Sequence, residues 1–422
     1  MSAHGGSRPE HFFGWGLIKG ALVAGETSLR LVAKEFGTPL YVYSEPRVLE
    51  RAEQLRAAFP GFSILYSVKS NPQPRLCRLL AKRGFHAGVS SLSEFELALD
   101  TGYQPEDIGY VGPAKRLVDL QRTAAKGCGI YYVESLTEIS RLEQVADSLQ
   151  RRLQIALRIN TEHRPTAAGE FMAGGPSEFG IDEEHLDEAI EAIDSRRLNL
   201  VGFHTFVASQ VVERRALERH FNRVATLVSG LASDHNVDLQ VVNFGGGFGI
   251  PYASSERELD ISRLGKYVAS SQAILALREK WPKASLCLDV GRFLVGDAGV
   301  FLTEVVDVKK SRGRIFVITD SGVTGFARPN MPWAQVHPCC VVDRVNENGS
   351  SSISCSVVGP SCMPGDLLAP SVDLADPKPG DVLAFMNAGA YGRTMSLLEW
   401  GGFDQPREVN FDGSEFCDPN LE

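Results

Sequence analysis

Residues 62–72 read FSILYSVKSNP. The first six are apolar or small and rich in Phe, Ile, Leu and Tyr, the texture of a strand covered on both faces. Val68 and Lys69 follow, and Asn71-Pro72 then breaks the run. A lysine at the inner end of an apolar strand is desolvated. Desolvation lowers its pKa and leaves a nucleophilic amine, as a Schiff-base lysine needs. The same position also suits a lysine that snorkels to water. Next comes PRLCRLLAKRG (74–84), helix-like and closed by Gly after basic residues, a helix C-terminal signal. FHAGV (85–89) then reads as strand again.

This strand–helix unit recurs. IGYV (108–111), IYYV (130–133), QIALRI (154–159), LVGFHTF (200–206), LQVVN (239–243) and SLCLD (285–289) are further strand-like runs. SEFELALDTG, LVDLQRTAAKG and LTEISRLEQVADSLQRR are helix-like stretches between them. Alternation of this kind implies parallel pairing through right-handed crossovers. Eight units over residues 62–289 fit a (β/α)8 barrel, with an open doubly wound sheet as the alternative. After residue 300 the helices stop. FLTEVVDVKKSRGRIFVITD, VHPCCVVDRV, SSISCSVVGP and DVLAFMNAG predict an antiparallel β-domain. The expected organisation is a tail and lead-in at 1–35, a barrel at 36–299 and a β-domain at 300–422. LYVYS (40–44) is open to joining the β-domain.

Composition narrows the function classes. The 422 residues are 43% hydrophobic and 23% charged, with a net charge of -9. No basic stripe suggests nucleic acid. No apolar run reaches the roughly 18 residues of a membrane span. The start, MSAHGGSRPE, lacks the apolar stretch of a signal peptide, so a frayed tail and a cytoplasmic location are expected. The eight cysteines include no CxxC and no cluster with zinc spacing, so no metal is expected.

In barrels of this kind chemistry gathers at the C-terminal strand ends. Those ends carry Lys69, Ser90, Ser91, Arg158, His204 to Ser209, Gly245 to Gly249 and Asp289 to Arg292. NFGGGFGIPY (243–252) is a glycine run after a strand, able to close its N–H groups around a phosphate, or simply a βα turn. Arg158 and Arg292 suit a phosphate, a carboxylate or a structural ion pair. Asp289 suits a protonated ring nitrogen or a helix cap. A phosphate cradle, an inward lysine and a carboxylate at one barrel mouth are what pyridoxal phosphate (PLP) needs.

YSVKSNP, HTFVASQ, GGGFGIPY, DVGRFLVGDAG, GPSCMPGD and NAGAYG, in this order, resemble the fold-type III PLP decarboxylases, which include the diaminopimelate, ornithine and arginine decarboxylases. The resemblance runs from about residue 35 to 400. It implies a PLP-binding (β/α)8 barrel with a β-domain, and a homodimer with shared active sites. It implies Lys69 as the lysine bound to the cofactor. Ser209 and Gly245, Gly246 and Gly247 would hold the phosphate, helped by Arg292 and Tyr391. Asp289 would pair with the pyridine nitrogen, and Arg158 would line the pocket. Cys362, from the partner subunit, would guide protonation after CO2 leaves.

Four departures from the family bear on this reading. Asp289 stands where the family usually has Glu, one methylene longer. The family's stacking His lies three residues before the phosphate-binding Ser; here that residue is Phe206, with His204 two residues earlier. Gly88 stands where an acidic residue often touches the lysine region. Met363 follows Cys362, where the family commonly has an acidic residue for a distal substrate amine; Asp366 is nearby. Cys-x-Pro-x-Asp, with GEFMAGGPSEFGID (169–182) and TEVVDVKKSRGRIFVITDSG (303–322), resembles a specialised-metabolism branch. That branch includes decarboxylases of carrier-protein-bound glutamate and of a citryl-diaminopropionate intermediate. The expected substrate is an α-amino acid, small or carrier-bound, whose far end is conjugated or masked, with Met363 and Asp366 on the substrate side. Diaminopimelate decarboxylase, an amino-acid racemase and a non-catalytic PLP-binding protein are the alternatives.

Overall fold

The structure, a computed structural model, describes residues 15–162, 170–252, 256–330, 336–345 and 352–419. The expected tail up to residue 14 and Gly169 lie outside the described residues. The chain forms two compact units, one of residues 52–249 and 259–292, the other of residues 1–51, 250–258 and 293–422. The principal strands are β1 (Leu40–Ser44), β2 (Phe62–Ser67), β3 (His86–Val89), β4 (Ile108–Tyr110), β5 (Ile130–Val133), β6 (Leu153–Asn160), β7 (Leu198–Thr205), β8 (Val241–Gly246) and β9 (Ser285–Val290). They continue with β10 (Gly299–Ser311), β11 (Arg314–Thr319), β12 (Cys339–Val341), β13 (Ser352–Val358), β14 (Leu367–Ala375), β15 (Val382–Phe385) and β16 (Arg407–Phe411).

In the first unit β2 to β9 pair in parallel, each with the next, and β9 closes on β2 with Asp289 opposite Leu65. The ring is a closed (β/α)8 barrel, not an open sheet. Its interior follows the period of two that a strand imposes. Leu65, Tyr132, Ala156 and Cys287 pack together inside. Two residues further along the same strands stand Ser67, Glu134, Arg158 and Asp289. The apolar layer therefore forms a floor, and the polar layer above it forms the rim where chemistry is expected.

Local sequence explains how strands hand over to helices. After β3, the Ser91 hydroxyl accepts from Glu94 N at 3.1 Å, and Glu94 Oε2 reaches back to Ser90 N at 2.8 Å. After β5, Ser135 Oγ accepts from Glu138 N at 3.2 Å, and Glu138 Oε2 reaches back to Glu134 N at 3.1 Å. These are capping boxes, each cap contributing about 1 kcal/mol. They pin the start of Leu92–Asp100 and Leu136–Leu149 at the barrel rim. The long helix Arg214–Asp234 buries Leu217, Phe221, Val224 and Val228 at helical spacing.

The second unit is a mixed sheet. β10 pairs antiparallel with β1, β11 and β15, and β13 with β14. β11–β13 and β16–β1 are parallel, so the β-domain expected as antiparallel is a mixed sheet. Tight hairpins force antiparallel pairing, whereas these two pairs are joined by long stretches of chain that impose no direction. LYVYS is β1 of this sheet, between β10 and β16. Leu40, Val42, Val300, Leu302, Val342, Ala384 and Val409 form its core. Residues 16–28 add a small three-stranded antiparallel sheet before the helix Leu29–Phe36. Among the described residues no helix is long and apolar enough to cross a membrane.

Candidate active site

The C-terminal rim of the barrel gathers Lys69, Arg158, His204, Ser209, the glycine run, Asp289 and Arg292. Asp289, at the end of β9, is buried. Its Oδ2 lies 3.4 Å from His204 Nε2 and 3.4 Å from Asn243 Nδ2. Its Oδ1 has no hydrogen-bond partner among the described residues. A Cβ on Gly88 would stand 3.1 Å from that oxygen, so glycine there leaves its face open. Beneath them, the His204 and Tyr132 rings lie 4.7 Å apart between centroids. Burial, outweighing the attraction of Asp289, pushes the His204 imidazole below its ordinary pKa, so it is neutral near pH 7.

Lys69 lies in the 3-10 turn Val68–Ser70 directly after β2. Its side chain is exposed to solvent, although protein atoms crowd around the amine. Desolvation first, and then the Arg158 charge, lower its ammonium pKa; Asp289, Glu94 and Glu134 oppose this. Desolvation also raises the Glu94 carboxyl, against the pull of the Ser90 N–H and hydroxyl. Arg158 Nη1 contacts both Glu134 oxygens at 3.0 Å, and its guanidinium lies 4.9 Å from the centre of the Phe179 ring. Glu134 also accepts the backbone N–H of Gly112 and of Gly180. Desolvation works against ionisation of Glu134, yet Arg158 and Lys115 together hold it below the usual glutamate range. Arg158 is thus engaged in an ion pair with Glu134 at the pocket wall.

The glycine run has a packing cause. A Cβ on Gly246 would come within 1.7 Å of the Asp289 carbonyl oxygen, and one on Gly247 within 2.0 Å of that of Ala208. Gly247 also takes a φ of 79°, open chiefly to glycine. The run is laced to the Ser209 segment: Val211 N donates to Gly247 O at 2.8 Å, and Gly249 N to Val211 O at 3.0 Å. Ser209 Oγ accepts from Arg292 Nη2 at 3.5 Å. Phe206 lies past the end of β7, half-buried, against Gly245.

The remaining residues lie in the β unit. GPSCMPGD is the turn between β13 and β14. Cys362 is exposed and Met363 half-buried. Asp366 is buried and engaged: Oδ1 accepts Val323 N at 2.7 Å and Oδ2 accepts Ser361 N at 2.9 Å. Gly322 and Gly359 press so closely that a Cβ on either would overlap its oxygens. Asp366, expected on the substrate side, has each carboxylate oxygen bonded to a backbone N–H and holds the loop. Tyr391 faces Arg328 at 5.7 Å, ring centre to guanidinium.

Sequence reading missed Glu94, Tyr132, Glu134 and Asn243. Glu134 follows IYYV almost as Lys69 follows FSILYS, and Asn243 lies inside the quoted run NFGGG, so strand-end position and alternation carried signals for both. The pairing of Asn243 with Asp289 left none.

Comparison with known proteins decides the family. The family model for the pyridoxal-binding domain of pyridoxal-dependent decarboxylases matches residues 45–296. The chain belongs to the pyridoxal-dependent decarboxylases of fold type III. This decarboxylase is 28% identical over 390 residues to the L-glutamyl–BtrI acyl-carrier protein decarboxylase of Niallia circulans, with 91% of each chain covered. It is 32% identical over 382 residues to the diaminopimelate decarboxylase of Aquifex aeolicus, over 89% of this chain and 87% of that one. Among solved structures, diaminopimelate decarboxylase of M. jannaschii in co-complex with L-lysine superposes with a TM-score of 0.87 at 25% identity, covering 97% and 95% of the two chains. The decarboxylase is a carbon–carbon lyase whose cofactor is PLP. Its barrel rim fits that group: Asp289 Oδ1 is a buried acceptor without a partner among the described residues, Lys69 is an amine whose pKa is lowered, and Ser209 and Arg292 stand together beside a glycine run.

Proposed function

We propose that this decarboxylase removes the α-carboxylate of an amino acid whose far end is conjugated, tethered to a carrier protein or otherwise masked, in specialised metabolism. The observation that carries this is the state of Asp366. It is the one acidic residue in GPSCMPGD, and both its oxygens are bonded to backbone N–H groups of its own unit. A substrate with a free distal ammonium would need a carboxylate partner in a desolvated pocket. Met363, the residue after Cys362, carries no charge to offer such an end.

Bound to a lysine, PLP supplies an electron sink for the pair released when CO2 leaves. Lys69 would provide the amine that holds the cofactor. Asp289 would accept from the protonated ring nitrogen through Oδ1. Ser209, Gly245 to Gly247 and Arg292 would hold the phosphate. Phe206 offers its ring face, but unlike histidine it donates no hydrogen bond. Arg158, fixed by Glu134, sets the positive wall, and His204 packs beside Asp289. Cys362, contributed by a partner subunit of a homodimer, passes a proton from Sγ to the α-carbon.

Diaminopimelate decarboxylation is the second reading, favoured by the similarity to the Aquifex aeolicus and M. jannaschii enzymes. Release of CO2 from meso-diaminopimelate, ornithine, carrier-bound glutamate and N-acylated diamino acids separates the two. Turnover of the conjugated substrates alone is expected. Turnover of meso-diaminopimelate or ornithine with no conjugated substrate accepted overturns the proposal.

A further inference from the structure

Asn243 lies on the inner side of β8, two residues before Gly245, and is fully buried. Its side chain has one acceptor and two donor hydrogens, and the site uses them in different directions. Oδ1 accepts the Gly245 N–H at 2.9 Å, on the glycine-run side. Nδ2 donates to Tyr132 Oη at 2.9 Å and to Asp289 Oδ2 at 3.4 Å. With Oδ2 approached by Asn243 and His204, Oδ1 is the oxygen left without a partner among the described residues, and Gly88 carries no side chain to cover it.

We infer that Asn243 is the positioning residue for Asp289, turning its carboxylate so that Oδ1 alone meets the ring nitrogen of the cofactor. The inference rests on the proposed pairing of Asp289 with that nitrogen. Aspartate is short and projects from a fixed strand, so its carboxylate must be aimed rather than reach. A contact of 3.4 Å aims weakly by itself. Asn243, however, is fixed by two bonds of 2.9 Å and presents its remaining hydrogen from a rigid base. The same amide ties Gly245 to Asp289, so the two proposed cofactor contacts share one brace.

The test is a double-mutant cycle on apoenzyme, with PLP affinity and the visible absorption of the bound cofactor as readouts. Asn243→Leu keeps the volume and removes every polar atom. It is expected to weaken PLP binding about 10–100-fold in the wild-type background. In an Asp289→Ala background the loss is expected to be clearly smaller, because only the Gly245 contact of Asn243 remains to be disturbed. Equal losses in both backgrounds overturn the inference. Asp289→Ala protein that binds PLP as tightly as wild type, with an unchanged spectrum, instead overturns the proposed role of Asp289. If the leucine variant fails to fold, Asn243→Asp decides. It keeps the acceptor for Gly245 but sets a second carboxylate against Asp289, in a cluster that Lys69, Arg158 and His204 also face. Two such carboxylates share a proton, so PLP affinity should gain a titration between about pH 5 and 8 that wild type lacks. A pH dependence identical to wild type overturns the inference.

Discussion

Asp366 accepts the backbone N–H of Val323 at 2.7 Å, joining two segments 43 residues apart in the chain. Its other oxygen holds Ser361, one residue before Cys362. The residue nearest in sequence to a substrate ligand is therefore the fastener of the cysteine loop. Asp366→Ala should destabilise the β unit by about 2–4 kcal/mol, since it strands two N–H groups that a charged acceptor satisfied. Denaturant unfolding monitors this. The ratio of activity on distally free and distally masked substrates should not change. A selective gain or loss for the free ammonium would return Asp366 to the substrate pocket.

Lys69 is held below the ordinary lysine pKa by desolvation. The sign follows directly. The folded apoenzyme binds the Lys69 proton less readily than the unfolded chain, so this site disfavours folding below its depressed pKa. That penalty is relieved as pH rises from the folded value toward the ordinary lysine value of about 10.4. Lys69→Met should thus raise the thermal midpoint of the apoenzyme at pH 7 and abolish the cofactor's visible band. Capture of PLP by wild-type apoenzyme should rise with pH at a midpoint below that of free lysine, measured by stopped-flow absorbance.

Glu134 is the counterion of buried Arg158 and the acceptor for two backbone N–H groups. Glu134→Ala leaves a buried guanidinium unpaired, and a loss of about 3–5 kcal/mol is expected. Glu134→Gln keeps the shape and should lose less. Urea midpoints of the two variants, compared with wild type, give the ordering; alanine no worse than glutamine would refute it.

Thiol labelling should divide the cysteines. Cys77, Cys128, Cys287, Cys339, Cys340 and Cys355 are buried, and burial pushes Cys77, Cys128, Cys287 and Cys340 up to about 12. Thiolate is the reactive form, so these should stay unlabelled in native protein. Cys362 is exposed, and Cys417 is partly so. Peptide mapping after brief alkylation should find Cys362 first, with activity falling in step with its modification.

Much of the molecule was legible beforehand for a local reason. FSILYS and IYYV coincide with β2 and β5, and PRLCRLLAKRG with the helix Pro74–Lys82, because apolar periodicity and caps act within a few residues. The β unit was less legible. β14 and β16 were not anticipated, since LLAPSVDLA and REVNF are short and partly polar, and their place is set by partners far away in the chain.

The sequence by itself determined the alternating barrel, the family, the cofactor and the lysine at the end of the first barrel strand. Each rests on a local pattern or an ordered motif that survives without coordinates. Tertiary structure decided what those residues do to one another. It spent Asp366 on Val323, paired Arg158 with Glu134, packed the glycine run against neighbouring carbonyls and set Asn243 beside Asp289. These contacts join positions 24 to 46 residues apart. Hydrogen bonds at such separations depend on where whole strands come to lie, and no period along the chain records them.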